Sequence, residues 1–230
     1  MKANRKGPFL YGLLVSTCLS LLVWAGPVTS ASGPEGAAAA MPKQCRPGKT
    51  STESFGWRWR PSARVRVYYL KGDFKAEEAA AFARAVGNWN NALREIDSRV
   101  TFISGGERAD VAEDDASITV MRGVPKGKDR LGQSKLYSMS NGVMRATMIL
   151  SPEVTDLDAL TSLMAHELGH SLGLGDCYGC KRGTTTMAAF KDVNEGNDVY
   201  SPSECDKYVV ALGYAGGTGS EPRPGPAEER

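Results

Sequence analysis

His166-Glu167-Leu168-Gly169-His170-Ser171-Leu172-Gly173-Leu174-Gly175-Asp176 contains both histidines of a 230-residue chain. On an α-helix, residues i and i+4 stand one turn apart on one face, so both imidazoles can reach a single metal ion. Glu167, the next residue round the helix, points near that ion without having to bind it. Two imidazoles do not complete a zinc site, because a catalytic ion takes three protein ligands and leaves a position for water. Gly173 can adopt the left-handed conformation that stops a helix and turns the chain back. Asp176, three residues further on, is then placed to return a carboxylate. The stretch predicts His166, His170 and Asp176 as ligands, with Glu167 as a general base.

The spacing H-E-x-x-H-x-x-G-x-x-D, followed by Thr184-Thr185-Thr186-Met187-Ala188, resembles the metzincin signature with aspartate in the last ligand position. Snapalysin-like bacterial secreted proteases carry the same aspartate variant. The stretch from Gly175-Asp176-Cys177-Tyr178-Gly179-Cys180 to Met187 is similar to bacterial matrixin-like proteases. The motif likeness covers residues 155–190, and a looser architectural one covers about 60–213. It implies an α+β zincin fold: a twisted mixed sheet of four to five strands, two long helices, a zinc helix, a methionine turn at Met187 and a C-terminal helix. It also implies one catalytic Zn2+ and peptide-bond hydrolysis by a zinc-activated water. A carboxylate in place of an imidazole lowers the net charge of the site by one, which makes bound water less acidic but more nucleophilic once deprotonated. Some metzincins carry a tyrosine two residues after the methionine. Here Ala189 and Phe190 follow, which leaves Tyr178 and Tyr200 as candidates to assist the oxyanion.

Other readings compete for these residues. Asn194-Glu195-Gly196-Asn197-Asp198 is similar to the segment that supplies the third ligand in thermolysin-like enzymes. Those enzymes place the glutamate on a long helix, whereas the residues around Glu195 are poor helix formers. Ca2+ is a further candidate for this acidic loop, although its glycine spacing does not fit an EF-hand loop. From another functional class, the alternative is a secreted zinc-stabilised binding or adhesion domain of the same fold without turnover. A glutamate beside the ligands, and three protein ligands rather than four, argue against it.

Lys2, Arg5 and Lys6 precede an apolar run from Phe9 to Ala25, and Val28-Thr29-Ser30-Ala31 supplies small residues for cleavage. Residues 1–30 therefore read as a secretory signal peptide, with an uncleaved outward-facing membrane anchor as the alternative. Removing them takes away three cations and no acid, so that 28 cations against 26 acids become one fewer cation than acids. That balance does not suggest a nucleic-acid partner. The short clusters Trp57-Arg58-Trp59-Arg60 and Lys126-Gly127-Lys128-Asp129-Arg130 read as an exposed strand edge and a solvated loop.

Cys45, Cys177, Cys180 and Cys205 remain after cleavage, and in an exported chain they suggest two disulfides with three possible connectivities. A local Cys177–Cys180 bridge would stiffen the loop after Asp176 and leave Cys45 to pair with Cys205. Pro42-Lys43-Gln44-Cys45-Arg46-Pro47 also has a loose likeness to the cysteine-switch peptide of matrix metalloproteases, in which a thiolate caps the zinc.

Residues 31–54 are rich in Ala, Gly, Pro and Ser and read as a flexible lead, 55–214 as one catalytic domain, and 215–230 as a disordered tail. Within the domain, alternating and β-rich runs predict strands at 63–70, 99–103, 117–121 and 143–150, with a short edge strand at 131–137. Ala79, Phe82, Val86, Trp89, Leu93 and Ile96 recur at helical spacing over 75–96. The zinc helix is expected to start at a Thr155 cap, and a last helix to span 201–212. The expected partner is a protein or peptide substrate, laid as an extra strand against a sheet edge of a monomer.

Overall fold

The computed structural model describes residues 41–55, 58–127, 129–138, 144–189 and 199–215, all within the unit Gly36–Arg230. The expected signal peptide, the start of the lead, Phe190, Glu195 with its acidic loop, and the tail beyond residue 215 lie outside the described residues.

Strand β1 (Arg64–Leu70) begins with strict alternation: Val65 and Val67 are buried, Arg64 and Arg66 exposed. Helix α1 (Ala76–Glu95) then returns the chain to β2 (Thr101–Arg108), parallel to β1. Strand β3 (Ser117–Arg122) lies on the other side of β1, also parallel. Strands β4 (Gly132–Ser138) and β5 (Met144–Leu150) form an antiparallel pair, with β5 parallel to β3. The order across the sheet is β2-β1-β3-β5-β4. This is the expected α+β arrangement, with a mixed sheet whose antiparallel strand β4 sits at one edge. Strand β2 runs past Ile103, where the expected strand ended, because a bulge accommodates Gly105-Gly106. The register shifts opposite Val67 and Tyr68, Gly106 takes φ 71°, and Gly105 leaves room for the Tyr68 ring.

Helix α1 starts with a capping arrangement in which the Lys75 amide donates to the Glu78 carboxylate at 2.8 Å. Its buried face, Ala81, Phe82, Ala85, Trp89, Ala92 and Leu93, has helical spacing. Helix α2 (Leu157–Ser171) packs against α1, where Trp89 Nε1 donates to the Ala165 carbonyl at 2.7 Å. The N-cap of α2 is Asp156 rather than Thr155: its carboxylate accepts from the Asp158 and Ala159 amides at 3.0 and 2.8 Å. Both residue types cap well, and the helix chooses the one that meets two free amides. Helix α3 (Glu204–Ala215) starts three residues after the expected position.

Two peripheral expectations change. Trp59 is part of the core at 1% exposure rather than an exposed edge. Arg58 donates to the Gly213 carbonyl at 2.8 Å, and the Trp59 amide to Tyr214 Oη at 3.1 Å, so this stretch is fastened to α3. The described half of the expected lead is also tied down. Ser54 bridges antiparallel to Leu174, the Phe55 amide donates to Gly173 and the Gly175 amide to Glu53. Cys45, Ser51 and Thr52 are buried. Among the described residues, no helix is long and apolar enough to cross a membrane.

Candidate metal centre

Helix α2 places His166, Glu167 and His170 on the turns that precede its end. The helix then stops as the sequence expects. Gly173 takes φ 93°, its amide donates to the His170 carbonyl at 3.0 Å, and the Leu174 amide donates to Gly169 at 3.1 Å. Those two bonds make a Schellman termination, which only a residue at ease with positive φ closes without strain. The reversed chain brings Asp176 back over the helix: its Oδ1 lies 3.0 Å from His166 Nε2 and 3.5 Å from His170 Nε2. His166, Glu167 and His170 form a group whose ligand-type atoms lie within 4.8 Å of one another.

The donor chemistry fits a zinc ion. His166 Nδ1 lies 2.8 Å from the Thr186 carbonyl, and His170 Nδ1 lies 2.8 Å from the Leu174 carbonyl. A carbonyl only accepts, so each Nδ1 carries a proton, and in the neutral ring each Nε2 is left with its lone pair. Two such lone pairs and a carboxylate oxygen facing one another repel unless a cation stands between them. Donors around a tetrahedral zinc stand about 3.3 Å apart, given bonds of roughly 2.0–2.1 Å.

Without metal, the cation is a proton. Burial disfavours the His166 imidazolium, but its hydrogen bond to Asp176 and the charges of Glu167 and Asp176 outweigh this. The His166 pKa therefore lies above its ordinary 6.5. Asp176 is also desolvated, yet its bond to His166 and the two imidazole charges hold its carboxyl well below the usual carboxylate range. The raised His166 stabilises the metal-free fold in full below pH 6.5, and that contribution is lost as pH rises through the raised pKa. The depressed Asp176 contributes above 3.8 and fails only in strong acid. Zinc binding at about pH 6 is therefore expected to expel more protons from His166 than binding at strongly alkaline pH. Calorimetric titration in buffers of different ionisation enthalpy counts these protons; an equal count at both pH values would contradict this assignment.

The other expected site residues are also placed. Met187 is fully buried under α2, and Gly169 makes that approach possible: a Cβ there would overlap Met187 Sδ and lie 3.3 Å from the Trp89 ring. Cys177 and Cys180 are bonded to each other one residue beyond Asp176, with Cα atoms 5.3 Å apart. Cys45 is bonded to Cys205, Cα to Cα 5.4 Å, so its sulfur is not directed at the metal centre as a cysteine switch requires. Tyr178 is 74% exposed, and its hydroxyl donates to Asp176 Oδ2 at 3.1 Å. Tyr200 offers its backbone carbonyl to Asn88.

Three contributors were not singled out in the sequence. Ser134 of β4 donates to Glu167 Oε2 at 2.6 Å. Thr186 provides the carbonyl for His166. Asp206, 0% exposed, accepts from the Thr185 hydroxyl, from the Thr186 amide and hydroxyl at 3.1 and 3.0 Å, and from the Ser203 amide and hydroxyl at 2.9 Å each. Only the Asp206 arrangement left a local trace, since Ser203-Glu204-Cys205-Asp206 is a capping-box pattern.

No protein-family model and no curated protein matches this chain. Among solved structures, it is similar to an archaemetzincin from Methanopyrus kandleri, 13% identical with a TM-score of 0.47 over 67% of this chain and 97% of the other. It is also similar to metalloproteinase-II from Bacteroides fragilis, at 13% identity and a TM-score of 0.43 over 73% of this chain and 58% of that one. A third is myroilysin, at 14% identity and 0.44, covering 75% and 87%.

Proposed function

We propose that residues 55–214 form a zinc-dependent endopeptidase domain of the matrixin-like or snapalysin-like kind, with His166, His170 and Asp176 as ligands and Glu167 as general base. The convergence of Asp176 Oδ1 on both Nε2 atoms, with each Nδ1 fixed by a carbonyl, carries this reading. Zinc, when bound, supplies Lewis acidity that acidifies water and polarises the scissile carbonyl. The Thr186 and Leu174 carbonyls orient the imidazoles and hold their tautomers. The Glu167 carboxylate accepts the proton of the attacking water and delivers it to the leaving amine. Edge strand β4 offers an extended peptide a backbone to pair with beside this carboxylate.

The same reading proposes export. Residues 1–30 would be removed, the mature chain would begin at Ala31, and the two disulfides would form in an oxidising compartment. Protein recovered from the medium, sequenced from its N-terminus and assayed with a peptide library beside its zinc content, tests export and activity together. A chain starting at Met1 in the membrane fraction would overturn export, and zinc-loaded protein that cleaves no peptide would overturn the endopeptidase assignment.

The aspartate is the distinctive ligand. Asp176→Ala is expected to weaken zinc binding by at least about a hundredfold, since even outer partners of metal ligands are worth roughly 10–100-fold. Competitive chelator titration measures this. Unchanged affinity in Asp176→Ala, together with a large loss in Glu195→Ala, would move the third ligand to Glu195.

A further inference from the structure

Strand β4 approaches Glu167 with two residues that point to the same face, Gly132 and Ser134. The Ser134 hydroxyl donates to Glu167 Oε2 at 2.6 Å and lies 3.3 Å from the Glu167 carbonyl. At Gly132 a Cβ would overlap Glu167 Oε1 and lie 3.0 Å from Leu163 Cδ1. One oxygen of the carboxylate is thus gripped, and the other occupies room that exists only because residue 132 has no side chain. Glu167 is 2% exposed, so bulk water cannot take over this orienting role.

We propose that Ser134 is a positioning residue for Glu167, and that Gly132 and Ser134 together hold its carboxylate in the orientation a general base needs. The proposal rests on the reading of Glu167 given above. A glutamate on a helix has three side-chain torsions, and a base that samples several orientations spends part of its time unable to reach the water proton. A short hydrogen bond to the ionised carboxylate removes that freedom without changing what the residue is. The strand that orients the base is also the edge offered to an extended substrate, so a single element aligns both reactants. The defect of a Ser134 variant therefore belongs in the chemical step rather than in substrate or metal binding.

Zinc-loaded wild type, Ser134→Ala, Ser134→Thr and Gly132→Ala should be compared in steady-state peptide hydrolysis, with zinc content measured on each. Ser134→Ala is expected to lower kcat about tenfold with KM and zinc content unchanged. Ser134→Thr should restore most of the rate, and Gly132→Ala should lower it by displacing the carboxylate. Crystal structures of metal-free wild type and Ser134→Ala give an independent readout: one Glu167 orientation in the first, several in the second. Unchanged kcat, loss of zinc from Ser134→Ala, or the same single Glu167 orientation in both crystals would overturn the proposal. Should wild type cleave no peptide, the endopeptidase reading falls, and the crystal comparison still decides whether Ser134 holds Glu167.

Discussion

Glu167→Gln is expected to lower kcat/KM for peptide hydrolysis by about a thousandfold, the middle of the roughly 10²–10⁴ range for a positioned general base, while the protein keeps one zinc per chain. The substitution preserves shape and removes only the proton-accepting charge. Its amide oxygen still accepts from Ser134, and neither His166 nor His170 loses the carbonyl that fixes its ring. Ground-state binding should therefore survive, and KM should move little compared with kcat. Metal analysis alongside digestion separates the outcomes. Zinc lost together with activity would make Glu167 part of the metal scaffold. Undiminished hydrolysis would remove it from the mechanism. A wild type that binds zinc but cleaves nothing would favour the binding-domain alternative.

The meeting of His166, His170 and Asp176 was legible because a helix turns sequence spacing directly into geometry: residues four apart share a face, and Gly173 marks where the face ends. Strands β1 and β3 and the edge strand β4 were legible for a similar reason, since alternation and β-branched runs are local. The supports of the site were not. Ser134 lies 33 positions from Glu167 in sequence, and nothing around it distinguishes its hydroxyl from any other on an edge strand. Gly132 and Gly169 matter through what is missing from them, which shows only when Glu167 and Met187 are seen against them. Trp59 looked like one member of an exposed basic stretch because alternation with arginine suggests a solvated edge, but tertiary packing against α3 decides its burial. Composition alone suggests a flexible lead, whereas its bridge to Leu174 and the bond from Cys45 to Cys205 are made by residues far away in sequence.

Asp206→Asn is expected to be the most destabilising conservative change in the described part of the protein, by about 3–5 kcal/mol. The carboxylate takes five hydrogen bonds at 0% exposure: from the Thr185 hydroxyl, from the Thr186 amide and hydroxyl, and from the amide and hydroxyl of Ser203 before α3. Four of these bonds fall on Oδ2 and one, from the Thr185 hydroxyl, on Oδ1, so an amide of the same size keeps its oxygen at Oδ2, turns its nitrogen towards the Thr185 hydroxyl, breaks that bond and weakens the other four by removing the charge. Hydrogen bonds to a charged group are worth roughly 1.5–3 kcal/mol each, and buried groups left unpaired add to that loss. In a protein of this length the sum corresponds to a melting temperature lower by about 10 °C. Glu204, 68% exposed and paired with Lys207 three residues further along α3, supplies the contrast: Glu204→Gln should cost under about 1 kcal/mol. The defect should also reach the metal, because Asp206 fixes Thr186, whose carbonyl fixes His166. Zinc affinity is expected to fall by about 10–100-fold, the usual worth of an outer partner. Thermal unfolding with and without chelator, followed by zinc titration of the folded variant, reads both effects. A melting temperature within about 2 °C of wild type would show that the carboxylate does not hold the turn. A large thermal loss with undiminished zinc affinity would show that Thr186 is held in place by other contacts.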